Sequence, residues 1–315
     1  MQVFNGVSDV PGGFGPSAVT IGKFDGVHAG HRAVIEALEE AAVAQGLVST
    51  VVTFDRNPLS LLNPEKCPEA LASNTKKLEL LDAAGVEATL MLAFDRAFSE
   101  QAPEDFVTGV LVEALHARVV FVGADFRFGV RGSGTVALLT ELGLRYGFEV
   151  RQIAELTAGT GTPRRASSTW IRELLDAGDV VGAAEPLGRL HSIRSTVVHG
   201  EQRGRELGYP TANLSPDIEG FIPRDGVYAA WATVGGARYA AAVSIGNNPT
   251  FEGVPQKQVE AHLIDQHLDL YGQTIELEFV EYIRPMNKFP SADALAAQMR
   301  VDEDRVRAVL GLRAA

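Results

Sequence analysis

The chain has one cysteine, Cys67, among 315 residues. An internal disulfide is therefore excluded, and no cluster of Cys and His suggests zinc. Long apolar runs are also missing. No stretch approaches the roughly 18 to 20 consecutive apolar residues that cross a bilayer as a helix. The opening Met-Gln-Val-Phe-Asn-Gly has neither a basic start nor an apolar run, so no signal peptide is expected there. Positive charge is scarce: 28 Lys and Arg against 40 Asp and Glu give a net charge of −12. Such a field repels nucleic acid unless a basic patch overrides it, and no such run occurs. Free nucleotides are repelled as well. Any nucleotide site must therefore rely on local glycine loops, helix N-termini, a few arginines and a metal ion. Internal repeats and low-complexity tracts are absent.

The composition that remains is that of a globular enzyme. Apolar residues make up 46% and charged residues 22%, which excludes wholesale disorder. The length suggests two domains at roughly 150 residues each, and a cytoplasmic location is expected. Glycine is plentiful, at 32 residues.

The first half alternates between two hydrophobic periods. Strand signals at Ala18–Gly22, Val48–Phe54, Ala88–Phe94, Arg118–Gly123 and Phe148–Ile153 alternate with helical spacing. The helical positions include Val34, Ile35, Leu38, Ala41 and Ala42, closed by Gly46, then Thr75–Ala84, a segment opened by Pro103, and Val136–Tyr146. This alternation predicts a parallel sheet covered on both faces, a doubly wound α/β domain over residues 1–185.

From residue 186 to 315 the pattern changes. Short helical stretches at Ser168–Ala177 and Val180–Leu187 precede strand signals at Ser192–Val198, Val227–Val234, Tyr239–Ile245, Val259–Ile264 and Ile275–Ile283. The last run alternates at Ile275, Leu277 and Phe279 and then loses register, as a bend causes. Ser291 N-caps a final helix with Leu295, Met299, Val306 and Leu310 on its apolar side. A small antiparallel β-barrel with a terminal helix is predicted.

Several segments carry chemistry. In Gly22-Lys23-Phe24-Asp25-Gly26-Val27-His28-Ala29-Gly30-His31, a strand ends in a glycine turn and two histidines stand where a helix begins. Ligands of doubly wound sheets bind outside the carboxyl ends of strands, and a helix N-terminus offers unpaired N–H groups to phosphate. His28 and His31 can donate hydrogen bonds to phosphate oxygens. Gly123-Ala124-Asp125-Phe126-Arg127-Phe128-Gly129 is a second strand-end loop, whose Asp125 reads either as a ribose or metal contact or as a solvated loop acid. Ala166-Ser167-Ser168-Thr169-Trp170-Ile171-Arg172 opens a helix. Ser168 and Arg172 read as a phosphate clamp, or as a cap with a surface arginine.

In the second half, Gly200 to Asn213 includes Gly204, Arg205 and Gly208, a flexible and locally basic loop suited to polyphosphate. The alternative is a charged hairpin. Thr211 and Asn213 are two apart, so on extended chain both face one way and offer oxygens to a hard cation such as Mg²⁺. Glu260 falls on a predicted strand. If it points inward it is a buried acid, and a general base for a substrate hydroxyl is one reason for such an acid.

Taken in order, Gly-Lys-Phe-Asp-Gly-Val-His-x-Gly-His, Gly-x-Asp-Phe-x-Phe-Gly, Ser-Ser-Thr-x-Ile-Arg and Arg-Gly-Arg-x-Leu-Gly-Tyr-Pro-Thr-Ala-Asn resemble the prokaryotic bifunctional riboflavin kinase/FAD synthetase family. Leu270-Tyr271-Gly272 and Asn248-Pro249-Thr250-Phe251 fit it too. The first motif is shared with the wider HxGH nucleotidyltransferases; its pairing with Pro-Thr-Ala-Asn is far more specific. The resemblance runs from about Val19 to Leu310. It implies an N-terminal domain that transfers AMP from ATP to FMN, releasing pyrophosphate and giving FAD. It implies a C-terminal domain that phosphorylates riboflavin with ATP. Carried over by motif, His28 and His31 bind ATP phosphates. Gly22, Phe24, Asp25 and Asp125 line the nucleotide site, and Ser168 and Arg172 hold the pyrophosphate end. Gly204, Arg205 and Gly208 belong to the kinase nucleotide loop. Thr211 and Asn213 hold Mg²⁺ and phosphate, and Glu260 is the general base. The implied partners are riboflavin, FMN and ATP, with no nucleic acid and no membrane.

The chain departs from that pattern at a few positions. Arg56-Asn57 stands where the family shows Pro-His, Ala166 replaces Ile, Leu190 replaces Pro, and Ser195 replaces Gly. Asn57 and Ser195 motivate a second reading, a paralogue that keeps one activity. Two further readings are a non-catalytic flavin- or nucleotide-binding protein and an adenylyl- or cytidylyltransferase for another substrate.

Overall fold

The computed structural model describes residues 1–153, 157–158, 164–199, 209–246 and 257–312. The chain divides into two compact units, Met1–Ser167 and Ser168–Ala315.

In the first unit, β1 (Gln2–Phe4), β2 (Ser17–Ile21), β3 (Val48–Phe54), β4 (Ala88–Leu92), β5 (Ala117–Gly123) and β6 (Glu149–Ile153) form a six-stranded sheet of order β1-β4-β3-β2-β5-β6. Every pairing in it is parallel. The sequence reading anticipated five of these strands. β1 is three residues long and carried no periodic signal.

Helices connect the strands. They are α1 (Ala29–Gln45), α2 (Pro58–Leu62), α3 (Asn74–Ala83), α4 (Arg96–Ser99), α5 (Pro103–Phe106) and α6 (Val136–Tyr146), with α5 continuing as a π-helical stretch over Val107–Ala114. Alternation along the strands divides the sheet between two apolar layers. Val19, Ile21, Val52, Leu90, Val120 and Val122 pack with Phe106, Val110, Leu111 and Leu139. Ala18, Val51, Val119 and Phe121 pack with Ile35, Leu38 and Leu81 from α1 and α3. Burial on both faces is why these strands read as near-continuous apolar runs. Two short strands, β7 (Thr157–Ala158) and β8 (Arg164–Arg165), pair antiparallel.

In the second unit, α7 (Ser168–Ala177) and α8 (Val180–Leu187) precede the barrel. The Arg224 N–H donates to Leu175 O at 3.0 Å, tying α7 to it. The barrel strands are β9 (His191–Val198), β10 (Ala212–Leu214), β11 (Gly226–Val234), β12 (Ala237–Gly246), β13 (Gln258–Leu263) and β14 (Thr274–Arg284). They close antiparallel in the order β10-β13-β12-β11-β14-β9, and closure leaves no free sheet edge. α9 (Ala292–Val309) is capped by Ser291, whose side chain accepts from the Ala294 N–H.

The predicted loss of register in β14 begins at a bulge, the first of two shifts in its pairing with β11. Ala230 pairs with Phe279, but Ala229 pairs with Glu281, leaving Val280 extra. The second shift leaves Ile283 extra between Tyr282, which pairs with Tyr228, and Arg284, which pairs with Val227. Ile275, Leu277 and Phe279 are fully buried. Beyond the bulge, Ile283 joins Val227, Ala229 and Val306 of α9 in a second apolar layer. Arg284 fixes α9 through Asp302, with N···O distances from 2.7 to 3.0 Å.

Candidate active sites

In the parallel sheet the strand order reverses between β2 and β5, so the crevice beyond their carboxyl ends is the topological switch point. The two strand-end loops picked from the sequence flank this point. Gly22 follows β2, and its N–H donates to Val52 O at 3.0 Å. The turn is strained. Phe24, Gly26 and Val27 have φ of 48°, 77° and 38°. A left-handed φ is unfavourable for a β-branched residue. Phe24 and Val27 are buried in the α1/α3 apolar layer, which holds them there. Asp25 Oδ1 accepts from the Leu71 N–H at 2.8 Å and so braces the approach to α3.

The turn delivers the two histidines. His28 is the N-cap of α1, and its Nδ1 accepts from the His31 N–H at 3.4 Å. Acceptance at Nδ1 puts the proton of a neutral His28 ring on Nε2, which is then a donor. The two rings stack with centroids 3.7 Å apart, and Phe24 lies against His31 at 4.9 Å. Burial holds the His31 pKa well below the usual histidine range, helped by His28, Lys23, Lys77 and Arg165. His31 is thus a neutral imidazole near pH 7. Its Nδ1 is buried and has no hydrogen-bond partner among the described residues. Gly30 sits where a Cβ would come within 3.2 Å of both Ala166 O and the His28 ring. A side chain there would require the Ala166 carbonyl or the His28 ring to give way by a few tenths of an ångström.

Asp125 follows β5, exposed, and its Oδ2 accepts from Arg165 at 3.1 Å. The structure therefore places Gly22, Phe24, Asp25, His28, His31 and Asp125 along one edge of the first unit. Ser168 and Arg172 lie in the second unit. Helix α7 begins at Ser168 itself, so the cap position falls to Ser167, one residue before the position expected. Asn57 caps α2, accepting from the Leu59 N–H at 3.1 Å, and Arg56 pairs with Asp55 at 3.2 Å. The departure at Asn57 thus has a local structural role.

Two features of this edge escaped the sequence reading. One is a chain of touching rings, Phe54, Phe94, Phe98, Phe106, Phe128 and Phe126, with successive centroids 5.5 to 6.0 Å apart. They come from the end of β3, from α4 and α5 and from the loops after β4 and β5, and only the fold joins them. The other is Lys77, only 6% exposed. A lysine one helical turn before the fully buried Leu81 of α3 was the available signal.

In the barrel, Asn213 of β10 pairs directly with Glu260 of β13, which in turn pairs with Ser244 of β12. Their neighbours Ala212, Leu214, Val259 and Ala261 are buried, whereas Asn213 and Glu260 are half-buried. The two therefore share the outer face, and the inward orientation considered for Glu260 does not occur. Thr211 stands just before β10, and its carbonyl accepts from Asn213 Nδ2 at 3.4 Å. His262 Nδ1 donates to Pro210 O at 2.9 Å and anchors this segment. Ser195 is buried and donates to Ser215 O at 3.0 Å, so its hydroxyl is satisfied within the fold. Gly204, Arg205 and Gly208, with Asn248–Phe251, lie outside the described residues.

Two family models match the chain, one towards each end. A family model described as FAD synthetase matches residues 14–169, and one described as riboflavin kinase matches residues 187–310. The bifunctional riboflavin kinase/FMN adenylyltransferase of Escherichia coli (strain K12) is 37% identical over 93% of each chain. The chain belongs to the bifunctional riboflavin kinase/FMN adenylyltransferase family. The Haemophilus influenzae member is 34% identical over 98% of this chain and 99% of its own.

A solved structure titled macrolide-efflux protein, from Streptococcus pneumoniae, is similar with a TM-score of 0.84 and 30% identity, covering 97% and 98% of the two chains. Its title is a statement about that protein. Among the described residues of this chain, no helix is long and apolar enough to cross a membrane. As a riboflavin kinase/FMN adenylyltransferase, the chain carries an FMN adenylyltransferase domain at its N-terminal end and a riboflavin kinase domain at its C-terminal end. Both matches together displace the readings as a single-activity paralogue and as a non-catalytic binder.

Proposed function

We propose that FMN is adenylylated at the carboxyl edge of β2 and β5, and riboflavin phosphorylated on the outer face of β10 and β13. The observation that carries the first assignment is the stacked pair His28 and His31 at the switch point, with the orphaned Nδ1 of a neutral His31. In that reading a phosphate oxygen of FMN attacks the α-phosphorus of ATP, and the bond to pyrophosphate breaks. His28 and His31 donate hydrogen bonds to phosphate oxygens and form no covalent bond. Gly22, Phe24, Asp25 and Asp125 line the nucleotide, and the run of rings at the same edge suits the planar flavin. Ser168 and Arg172 are assigned the pyrophosphate end on their motif alone. Such transfer depends on positioning and charge stabilisation, which suits an edge with no activated nucleophile.

In the kinase, the juxtaposition of Asn213 and Glu260 carries the reading. Glu260 takes the proton of the terminal ribityl hydroxyl as its oxygen attacks the γ-phosphorus, and ADP leaves. Thr211 and Asn213, with a carboxylate alongside, form a hard-oxygen donor set that fits Mg²⁺. With Asn213 Nδ2 turned to Thr211 O, its Oδ1 is the atom available to hold the ion. When bound, Mg²⁺ neutralises phosphate charge. Gly204, Arg205 and Gly208 remain the nucleotide loop of this proposal. The domain division at 185/186 and a cytoplasmic location complete it.

The test is incubation with riboflavin, ATP and Mg²⁺, beside a second tube starting from FMN, with the flavins separated by chromatography. FMN and then FAD in the first tube, and FAD in the second, are expected. A missing product in either tube overturns the corresponding site.

A further inference from the structure

Lys77 lies in the first turn of α3, 6% exposed. Its ammonium donates to Phe54 O, at the end of β3, at 3.0 Å, and to Asn74 Oδ1 at 3.2 Å. Among the described residues it has no third partner and forms no ion pair. Buried lysines are rare, and those that occur are ordinarily paired with an opposite charge. Burial pushes the Lys77 pKa down, while Asp25 and Asp55 work in the opposite direction. Its charge also reaches His31. The ammonium is therefore fixed at the substrate edge with one N–H unspent, and Asp25 and Asp55 act on its charge without forming a direct ion pair with it.

We propose that Lys77 is a further substrate-contacting residue of the adenylyltransferase, whose third N–H binds a phosphate oxygen of the bound substrate. This rests on the assignment of that edge to adenylyl transfer. Two oxyanions share the required chemistry, the FMN phosphate and the ATP phosphate chain. The competing explanation is purely structural. In it Lys77 and Asn74 merely clasp α3 to the end of β3, with Asn74 also donating to Asp55 O at 2.6 Å.

The experiment is steady-state FAD formation by the full chain, varying FMN at saturating ATP and then ATP at saturating FMN. The variants are Lys77→Met, Lys77→Gln, Lys77→Arg and Asn74→Ala, with riboflavin phosphorylation in each preparation as the internal control. Losing a charge-assisted hydrogen bond lowers kcat/KM by roughly tenfold to a hundredfold. That loss is expected in Lys77→Met and Lys77→Gln, and it should fall on the KM of one substrate. A raised KM for FMN identifies the FMN phosphate, and a raised KM for ATP the ATP phosphate chain. Lys77→Arg should recover part of the loss, and kinase rates should not move. Lys77→Gln keeps an N–H donor for Phe54 O, so it carries the test if Lys77→Met is insoluble. Unchanged FAD kinetics in Lys77→Gln overturns the proposal. So does an equal loss in Asn74→Ala, which breaks the clasp and leaves the ammonium. His31→Ala runs alongside: if it still makes FAD at the wild-type rate, the underlying site assignment fails instead.

Discussion

Asn213 and Glu260 face each other across adjacent antiparallel strands, as direct partners in the register of β10 and β13. Directly opposed residues bring their Cβ atoms to about 5 Å, so an amide and a carboxylate meet on one face. Glu260→Gln keeps the shape and removes the base. The expected result is a fall in riboflavin phosphorylation of roughly 10²-fold or more, with FAD formation from supplied FMN unchanged. An unaltered kinase rate removes the base role from Glu260.

His31→Ala should do the reverse. It removes the ring that stacks on His28 at 3.7 Å and the buried Nδ1. FAD formation should fall below detection while FMN still accumulates from riboflavin. Equal loss of both activities would argue against separate sites. Because His31 stays neutral down to well below pH 6.5, its titration should leave no inflection near that pH in the rate of FAD formation.

Acid should weaken the barrel through His191. This ring is buried, donates to Phe221 O at 2.6 Å, and has its pKa pushed down to about 4. Between pH 6.5 and 4 the unfolded chain binds a proton there that the folded chain refuses. The depressed value therefore contributes stability above pH 6.5 that is lost as pH falls toward 4, by up to roughly 3 kcal/mol. Denaturant melts of wild type and His191→Gln over that range are the check. The variant should show a flatter pH dependence, and parallel curves would assign the acid loss to other groups.

Glu39 should behave oppositely. Burial raises its pKa, Ser49 counters that, and Glu87 adds repulsion. One of its oxygens is buried without a partner among the described residues. The folded state favours the protonated acid, so its contribution is greatest below the ordinary glutamate pKa and fades as pH rises through the raised value. Glu39→Gln should raise Tm at pH 8 and change little at pH 4. A lower Tm at pH 8 would show that the carboxylate is stabilising.

Most of the architecture was legible because burial on both faces leaves unbroken apolar strands, and α1 and α6 carry regular apolar stripes with glycine at their ends. β1 was not legible, since three residues cannot display a period. The π-helical stretch after Phe106 kept helical spacing in sequence, and its wider turn is a matter of hydrogen bonding alone. In the site, the histidine pair was visible because its residues are contiguous with a strand and a helix start. The ring chain from Phe54 to Phe126 and the buried Lys77 were not visible, because their neighbours lie far apart in the chain. The orientation of Glu260 depended on which face of β13 lines the barrel, and alternation by itself leaves both choices open.

The extra residue at Val280 lets one strand furnish two different apolar layers. Before it, odd-numbered side chains fill the barrel; after it, Ile283 lies beneath α9. Composition along β14 is therefore forgiving, because a neighbouring aliphatic can replace Leu277 or Ile283 at modest cost. Length is not forgiving. Removing one residue at the bulge would exchange the faces of everything downstream and move the Arg284 clasp on Asp302 with it. Variation among relatives should accordingly enter this strand as exchange of side chains rather than as gaps, and the count of residues between Phe279 and Arg284 should stay constant where their identities do not.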